Sequence, residues 1–321
     1  MSKHIPLILK LIALGGLLAF PMADSPFYTE LVAKTVLFGI FAMSLDLLVG
    51  FTGLVSLGHA AYFGIAAYTV ALMTPKYEAA SFWTTFPSAI GISAAAALVV
   101  GIFVLRTKGI YFIMVTLAFA QMVFYLFHDT ALGGGSDGIY LNLKPDTTLF
   151  GGKPFDLDNP FHLYYLIIAT LVVVYLFLKL LLRSPFGKVL VGIKSNEHRM
   201  KSMGYRTFGY KLAAFSIAGG LAGAAGYLYA VLFGFVTPEL MSWHQSGNVL
   251  LMVILGGMGN LVGALLGALA FVAMQEVFST WTKHWQLVMG SVIVLSVLFL
   301  PGGLSAVPRR LKAALTGGGE K

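Results

Sequence analysis

Two polar interruptions within otherwise apolar sequence hold most of the residues that could do chemistry. The first, GFTGLVSLGH at 50–59, sets Gly50, Thr52, Gly53, Ser56, Gly58 and His59 in the middle of an apolar stretch of 44 residues, with Asp46 one helical turn before it. The second, GGMGN at 256–260, sets Gly256, Gly257, Gly259 and Asn260 in another such stretch. Hydroxyl, imidazole, carboxylate and amide groups beside unwound backbone are suited to passing a polar solute through an apolar barrier. Backbone of this kind survives at membrane depth only where it is buried in protein or lines a wet cavity. The two interruptions are therefore the candidate translocation path. A plainer reading stands beside this one, in which the glycines pack helices and His59 is an interfacial residue with its hydrogen bonds satisfied. Asp46 likewise has two readings. It is either an ionisable group within a span, which marks a functional position, or a headgroup-level residue on a segment that ends near Gly50.

The elements that must position these groups are membrane helices. Of the 321 residues 58% are hydrophobic and 11% charged, and the mean hydropathy is +0.85. A soluble domain has about a quarter of its residues charged. This is the composition of an all-α polytopic membrane protein. The net charge of +8 lies in short segments between apolar runs, where it orients the chain in the bilayer and calls for no nucleic-acid partner. With no cysteine there is no disulfide, thiol catalysis or cysteine-bound metal. The 37 glycines suit close helix contacts and broken helices.

Along the chain, residues 6–22 form an apolar run after Lys3 that resembles a signal peptide and is read here as a retained first helix. The stretch 30–73 is too long for one span of about 20 residues and predicts two crossings or a broken helix. Spans follow up to 105 and to about 127, joined by a turn with Arg106 and Lys108 that belongs inside. Residues 129–161 carry five acidic and two basic residues with several turn signals, and read as an external loop. Its glycine run at 133–138 lacks the Lys-Ser/Thr of a phosphate cradle and reads as a turn. A span at 163–182 precedes the basic stretch. The apolar segment 212–236 contains GGLAGAAG at 219–226, a flat face for helix packing. The last span is 285–300, and Arg309, Arg310 and Lys312 mark an internal tail at 301–321. The glycine spacing of Gly50 and Gly53 recurs at Gly256 and Gly259, giving two repeat-like, glycine-broken halves. The whole is one transmembrane domain over 1–321, with about eight to ten crossings and both termini inside.

Residues 183–211 hold seven of the 21 basic residues and one acidic residue, Glu197. This stretch lies outside the bilayer core, and its charge puts it on the cytoplasmic side. Ser184, Pro185 and Gly187 read as a turn, and helix-forming residues run on to Met203 before Gly204. A short helix in a cytoplasmic loop, over 183–208, is a docking surface for a cytoplasmic partner. Its candidate contacts are Arg183, Pro185, Gly187, Lys188, Glu197, Arg199 and Gly204.

Four motifs carry a resemblance to the LivM-type permease subunit of branched-chain amino acid ABC importers. SLGHAAYFGIAAY at 56–68 is similar to that family's early glycine-rich motif, and GGSDGI at 134–139 to its external-loop motif. RSPFGKVLVGIKSNE at 183–197, followed by Gly204 and KLAAF at 211–215, resembles its cytoplasmic coupling loop. VILGGMGNLVGALLGA at 253–268 resembles the late motif. The likeness runs in order over about 34–300. It departs in two places: Ala264 stands where that motif usually has proline, and the residues after Glu197 are bulkier and more basic.

The resemblance implies a second homologous permease subunit, two cytoplasmic ATP-binding subunits that dock on the coupling loop, and a periplasmic substrate-binding protein. ATP would then be bound by the partners, with no cofactor in this chain. The chain is expected to be a transport subunit and no enzyme, since it has no G-x-x-x-x-G-K-[ST] run, no HExxH and no Ser-His-Asp order in a credible context. The cargo implied is an apolar amino acid carried across a bacterial inner membrane. Urea or short-chain amide importers have closely similar permeases. An ion-coupled secondary transporter would need embedded carboxylates, for which only Asp46 and Glu276 are available.

Overall fold

The computed structural model describes residues 15–17, 20, 26–75, 77–148, 152–300 and 302–306. The first apolar run at 6–22 and the tail at 307–321 fall largely or wholly outside them. The described residues are overwhelmingly helical. The elements are α1 (Pro26–Val49), α2 (His59–Met73), α3 (Phe82–Val104), α4 (Ile110–His128), β1 (Ile139–Tyr140), α5 (Pro160–Arg183), α6 (Pro185–Ser202), α7 (Thr207–Phe233), β2 (Phe235–Val236), α8 (Trp243–Gly256), α9 (Leu261–Trp281) and α10 (Trp285–Phe299). Six of these, α1, α3, α4, α5, α7 and α9, are long and apolar enough to cross a membrane. Two shorter apolar helices, α2 and α10, and the 14-residue α8 stand beside them among the described residues.

α1 is the central post. It is apolar all round, and every residue from Thr35 to Val49 is buried, as a helix surrounded by other helices requires. α7 packs against α1, α2 and α3. Its glycine face makes this possible: a Cβ at Gly226 would overlap the Phe63 carbonyl, and Gly219 and Gly223 face Ala97 and Ser93. Close backbone approach is how small residues hold membrane helices together. Polar bonds add to the seam, with Ser93 Oγ donating to the Tyr62 carbonyl at 2.9 Å and Ser216 Oγ to the Ala94 carbonyl at 2.8 Å. The outer helices turn large apolar side chains outward, among them Met122, Leu180 and Val294.

One end of the bundle carries the long acidic loop. The glycine run there forms two 3-10 turns, Ala131–Gly133 and Gly135–Asp137, in keeping with the turn expected. Sequence reading gave no sign of the two-stranded sheet beyond it, in which Ile139 pairs with Val236 and Tyr140 with Phe235, antiparallel. The loop is also tied to the start of α3, where the Phe82 N–H donates to the Asp146 carbonyl at 2.8 Å and the Trp83 indole to the Thr147 carbonyl at 3.0 Å. The basic turn at 106–108, helix α6 and the end of α10 lie at the opposite end.

Candidate functional site

The two glycine-broken segments meet. α1 ends at Val49, and the chain turns back at once. The Leu54 N–H donates to the Leu48 carbonyl at 2.9 Å, the Thr52 hydroxyl donates to the Leu47 carbonyl at 2.9 Å, and Gly53 takes the left-handed φ of 77° that favours glycine. α8 ends at Gly256 and is followed by Gly257 and Gly259 at φ 102° and 80°. Asn260 then caps α9, its side-chain oxygen accepting from the Val262 N–H at 3.2 Å. At the point of contact the Gly259 N–H donates to Asp46 Oδ1 at 2.8 Å. The contact is backbone on backbone, since a Cβ at Gly50 would overlap the Gly259 nitrogen. Asp46 is fully buried within the bundle, one turn before α1 ends at Val49, and its Oδ2 has no hydrogen-bond partner among the described residues.

A third element reaches this junction. Lys194, on α6, donates from Nζ to the Gly50 carbonyl at 2.5 Å, and its charge also acts on Asp46. The basic stretch thus contributes one lysine to the place where both breaks are joined. Lys194 was not among the residues singled out from sequence. Seven basic residues share that stretch, and no local signal marks the one whose Nζ reaches the Gly50 carbonyl.

The rest of the first break lies elsewhere. Residues 55–58 lead to α2, whose free N-terminal N–H groups find side chains from other helices. The Ala60 N–H donates to Ser246 Oγ at 3.0 Å, and the Leu57 N–H to Thr116 Oγ1 at 3.3 Å. The Gly58 N–H bonds Ser56 Oγ at 3.2 Å. His59 is fully buried against the rings of Phe41 and Tyr62. Ser44 Oγ lies 2.7 Å from the Phe41 carbonyl and 2.9 Å from His59 Nε2; with the hydroxyl proton directed at the carbonyl, the His59 Nε2–H donates to Ser44 Oγ. In that tautomer Nδ1 is bare, and it has no partner among the described residues.

α6 itself is where the sequence places a helix, with Pro185 in its first turn, Ser202 its last residue and Gly204 just beyond at φ 88°. One face is buried through Gly187, Val189, Leu190 and Ile193, while Arg183, Pro185, Lys188, Arg199 and Gly204 are exposed. Asn196 breaks the helix, and its side-chain oxygen caps the last turn by accepting from the Arg199 N–H at 2.9 Å. Glu197 turns inward. Its carboxylate accepts from Lys211 Nζ at 3.0 and 3.1 Å, from Lys201 Nζ at 3.1 Å and from the Thr207 hydroxyl at 3.1 Å. Burial works to raise its pKa, but the Lys211 and Lys201 hydrogen bonds outweigh it and hold the group at about 2. Glu197 therefore fastens α6 to α7. A cavity of about 440 Å³ lies beneath, lined by Thr52, Gly53, Lys108, Lys194 and Glu197.

Among the described residues no three His, Asp or Glu side chains are grouped to hold a metal ion. The arrangement is a junction: two helix breaks joined by one buried carboxylate and tied to the flanking helix α6. Residues 27–298 match the family described as "Branched-chain amino acid transport system / permease component". The chain belongs to this family. It is 34% identical over 312 residues, 91% of its length and 73% of theirs, to the proteins of Salmonella typhimurium and Escherichia coli named high-affinity branched-chain amino acid transport system permease protein LivM. It is 27% identical over 39% of its length to a probable LivM of Methanocaldococcus jannaschii. An autoinducer 2 import permease of Salmonella paratyphi B matches at 28% over 44% of the chain. No solved structure matches. For a permease of this family the joined breaks and the exposed side of α6 are the parts with chemistry to explain.

Proposed function

We propose that this chain is the permease subunit of an ATP-driven importer of branched-chain amino acids in a bacterial inner membrane. It forms half of the path, beside a second homologous permease. Two cytoplasmic ATP-binding subunits dock on α6, and a periplasmic binding protein delivers the cargo. The observation that carries this reading is the likeness to the two high-affinity branched-chain permeases, which extends over nine-tenths of the chain, whereas the autoinducer 2 permease matches less than half. The basic residues at 106–108 and along α6 support a cytoplasmic position for that end.

In the mechanism this junction acts as the hinge. Closure of the ATP-binding pair presses on the exposed face of α6, whose other face is packed against the bundle. Lys194 carries the shift to the Gly50 carbonyl, and the Asp46–Gly259 bond passes it to the second break. Both breaks then move together, and α1 and α8 tilt with them to open the path to alternate sides. The test is ATP hydrolysis by the co-expressed complex in liposomes, with binding protein loaded with leucine or with urea. Stimulation by the leucine-loaded form alone supports the reading. Failure of any ATP-binding subunit to co-purify, or a response to urea instead, overturns it.

A further inference from the structure

A polar pocket lies between helices far from the hinge, and neither the sequence motifs nor the hinge account for it. Its volume is about 310 Å³, at the lower end of small-molecule sites, which run to roughly 1,000 Å³. α1 contributes Lys34, the 3-10 turn Pro238–Met241 contributes Glu239, α8 contributes Gln245 and Asn248, and α9 contributes Gln275. Lys34 is half-buried on a helix that is otherwise apolar for nearly its whole length. Among the described residues neither Lys34 nor Glu239 has an ion-pair partner, although Glu30 lies one turn from Lys34. Among the described residues no hydrogen bond engages the side-chain amides of Gln245, Asn248 or Gln275. Glu239 is exposed at the mouth, on its 3-10 turn, and Lys34 is half-buried within an apolar helix, where an ionisable group is a functional candidate. The remaining wall is apolar, formed by Phe38, Met252 and Phe271.

We infer that this pocket is the chain's entry site for the amino acid, with Lys34 receiving the carboxylate, Glu239 the ammonium and the Phe38, Met252 and Phe271 wall the aliphatic side chain. The inference rests on the proposed function and places the cargo away from the glycine breaks themselves. Lys34 and Asp46 are on the same helix, twelve residues apart, which at 1.5 Å per residue is about 18 Å. Asn248 and Gly256 are both on α8. Two of the helices that line the pocket, α1 and α8, thus end at the joined breaks, so a tilt there reshapes the pocket.

The chain has no cysteine, so Asn248→Cys places a single thiol of this chain in the pocket. The experiment is the rate at which a charged thiol reagent labels this chain in the assembled complex without binding protein, read by mass on its own band. Leucine should slow labelling in proportion to occupancy, roughly tenfold at ten times its Kd. Isocaproate, which lacks the ammonium, and isoamylamine, which lacks the carboxylate, should protect poorly, and adding Lys34→Gln should remove the protection by leucine. Equal labelling with and without leucine overturns the inference. So does a thiol that never reacts, because the pocket is then covered by the partner permease. Uptake and hydrolysis by the unsubstituted complex are measured in parallel. A complex that transports leucine without protection at this site refutes only the pocket, whereas one that neither transports nor responds to loaded binding protein refutes the function and the pocket with it.

Discussion

The Gly259 N–H and the Asp46 carboxylate, 213 residues apart in sequence, form a 2.8 Å hydrogen bond in the interior of the protein. It joins the end of one broken helix to the start of the next segment of another, and Lys194 reaches the same point from outside the bundle. A buried backbone donor at a helix break needs an acceptor. Here a side chain supplies it, so the break is held by a group that can be exchanged without touching the backbone.

Asp46→Ala removes that acceptor from the partly buried Gly259 N–H, a loss of up to about 1–3 kcal/mol where water does not replace it. The thermal unfolding midpoint of the purified complex should fall. Asp46→Asn keeps an oxygen toward Gly259 and removes the charge facing Lys194, so it should fold but import poorly. Leucine uptake in proteoliposomes separates the two variants. Unimpaired uptake by Asp46→Asn would show that the charge has no part in transport.

Lys194→Met should separate hydrolysis from uptake. The lysine makes a charge-assisted bond to the Gly50 carbonyl, of a kind contributing about 1.5–3 kcal/mol, and its loss should cut leucine carried per ATP hydrolysed by roughly tenfold or more. Lys194→Arg keeps a donor and should retain part of the coupling. The measurement is the ratio of uptake to phosphate release in one liposome preparation. An unchanged ratio in Lys194→Met would rule out transmission through this residue.

Much of this was legible beforehand because it is local. Glycine spacing exposes both breaks, Pro185 and Gly204 bracket α6, and GGLAGAAG announces the packing face of α7. The meeting of the breaks was not legible, since no propensity or spacing relates Asp46 to Gly259 across the fold. Nor could charge count alone sort the basic stretch. Lys194 stays exposed but its Nζ reaches the Gly50 carbonyl, and Glu197 is half-buried against Lys211, while Lys188 and Arg199 are exposed and their side chains make no such bond among the described residues; tertiary packing decides which. Lys34 is hidden for a similar reason, as a single cation that hardly changes the hydropathy of its segment.

Glu197 makes the attachment of α6 pH-dependent. Its pKa is about 2 in the folded chain against an ordinary 4.5, so the folded state is stabilised by the charged form. That contribution is present above pH 4.5 and is lost as pH falls from there toward 2. Limited proteolysis between 183 and 211 should accelerate across that window in the unsubstituted chain. Glu197→Gln should be cut faster at neutral pH and show a flatter response to acid. Parallel curves for the two chains would mean that the Lys211 and Lys201 bonds do not hold α6 in place.

Gly256→Ala should be the most damaging conservative change at the hinge, because its Cβ would fall on the Gly263 carbonyl at the crossing of α8 and α9. Neither backbone can yield without opening the junction, and overpacking of this sort costs about 1–3 kcal/mol. Gly247 and Gly290 also lie within helices but face open space, so alanine there should be tolerated and at Gly290 should slightly favour the helix. Thermal midpoints of the three variants, measured in the assembled complex, test whether the glycines of the second break are needed for space or are merely tolerated. A midpoint for Gly256→Ala equal to that of Gly247→Ala would mean that α8 and α9 can separate at no cost, and the hinge would then lack the rigid contact through which the two breaks are proposed to move as one.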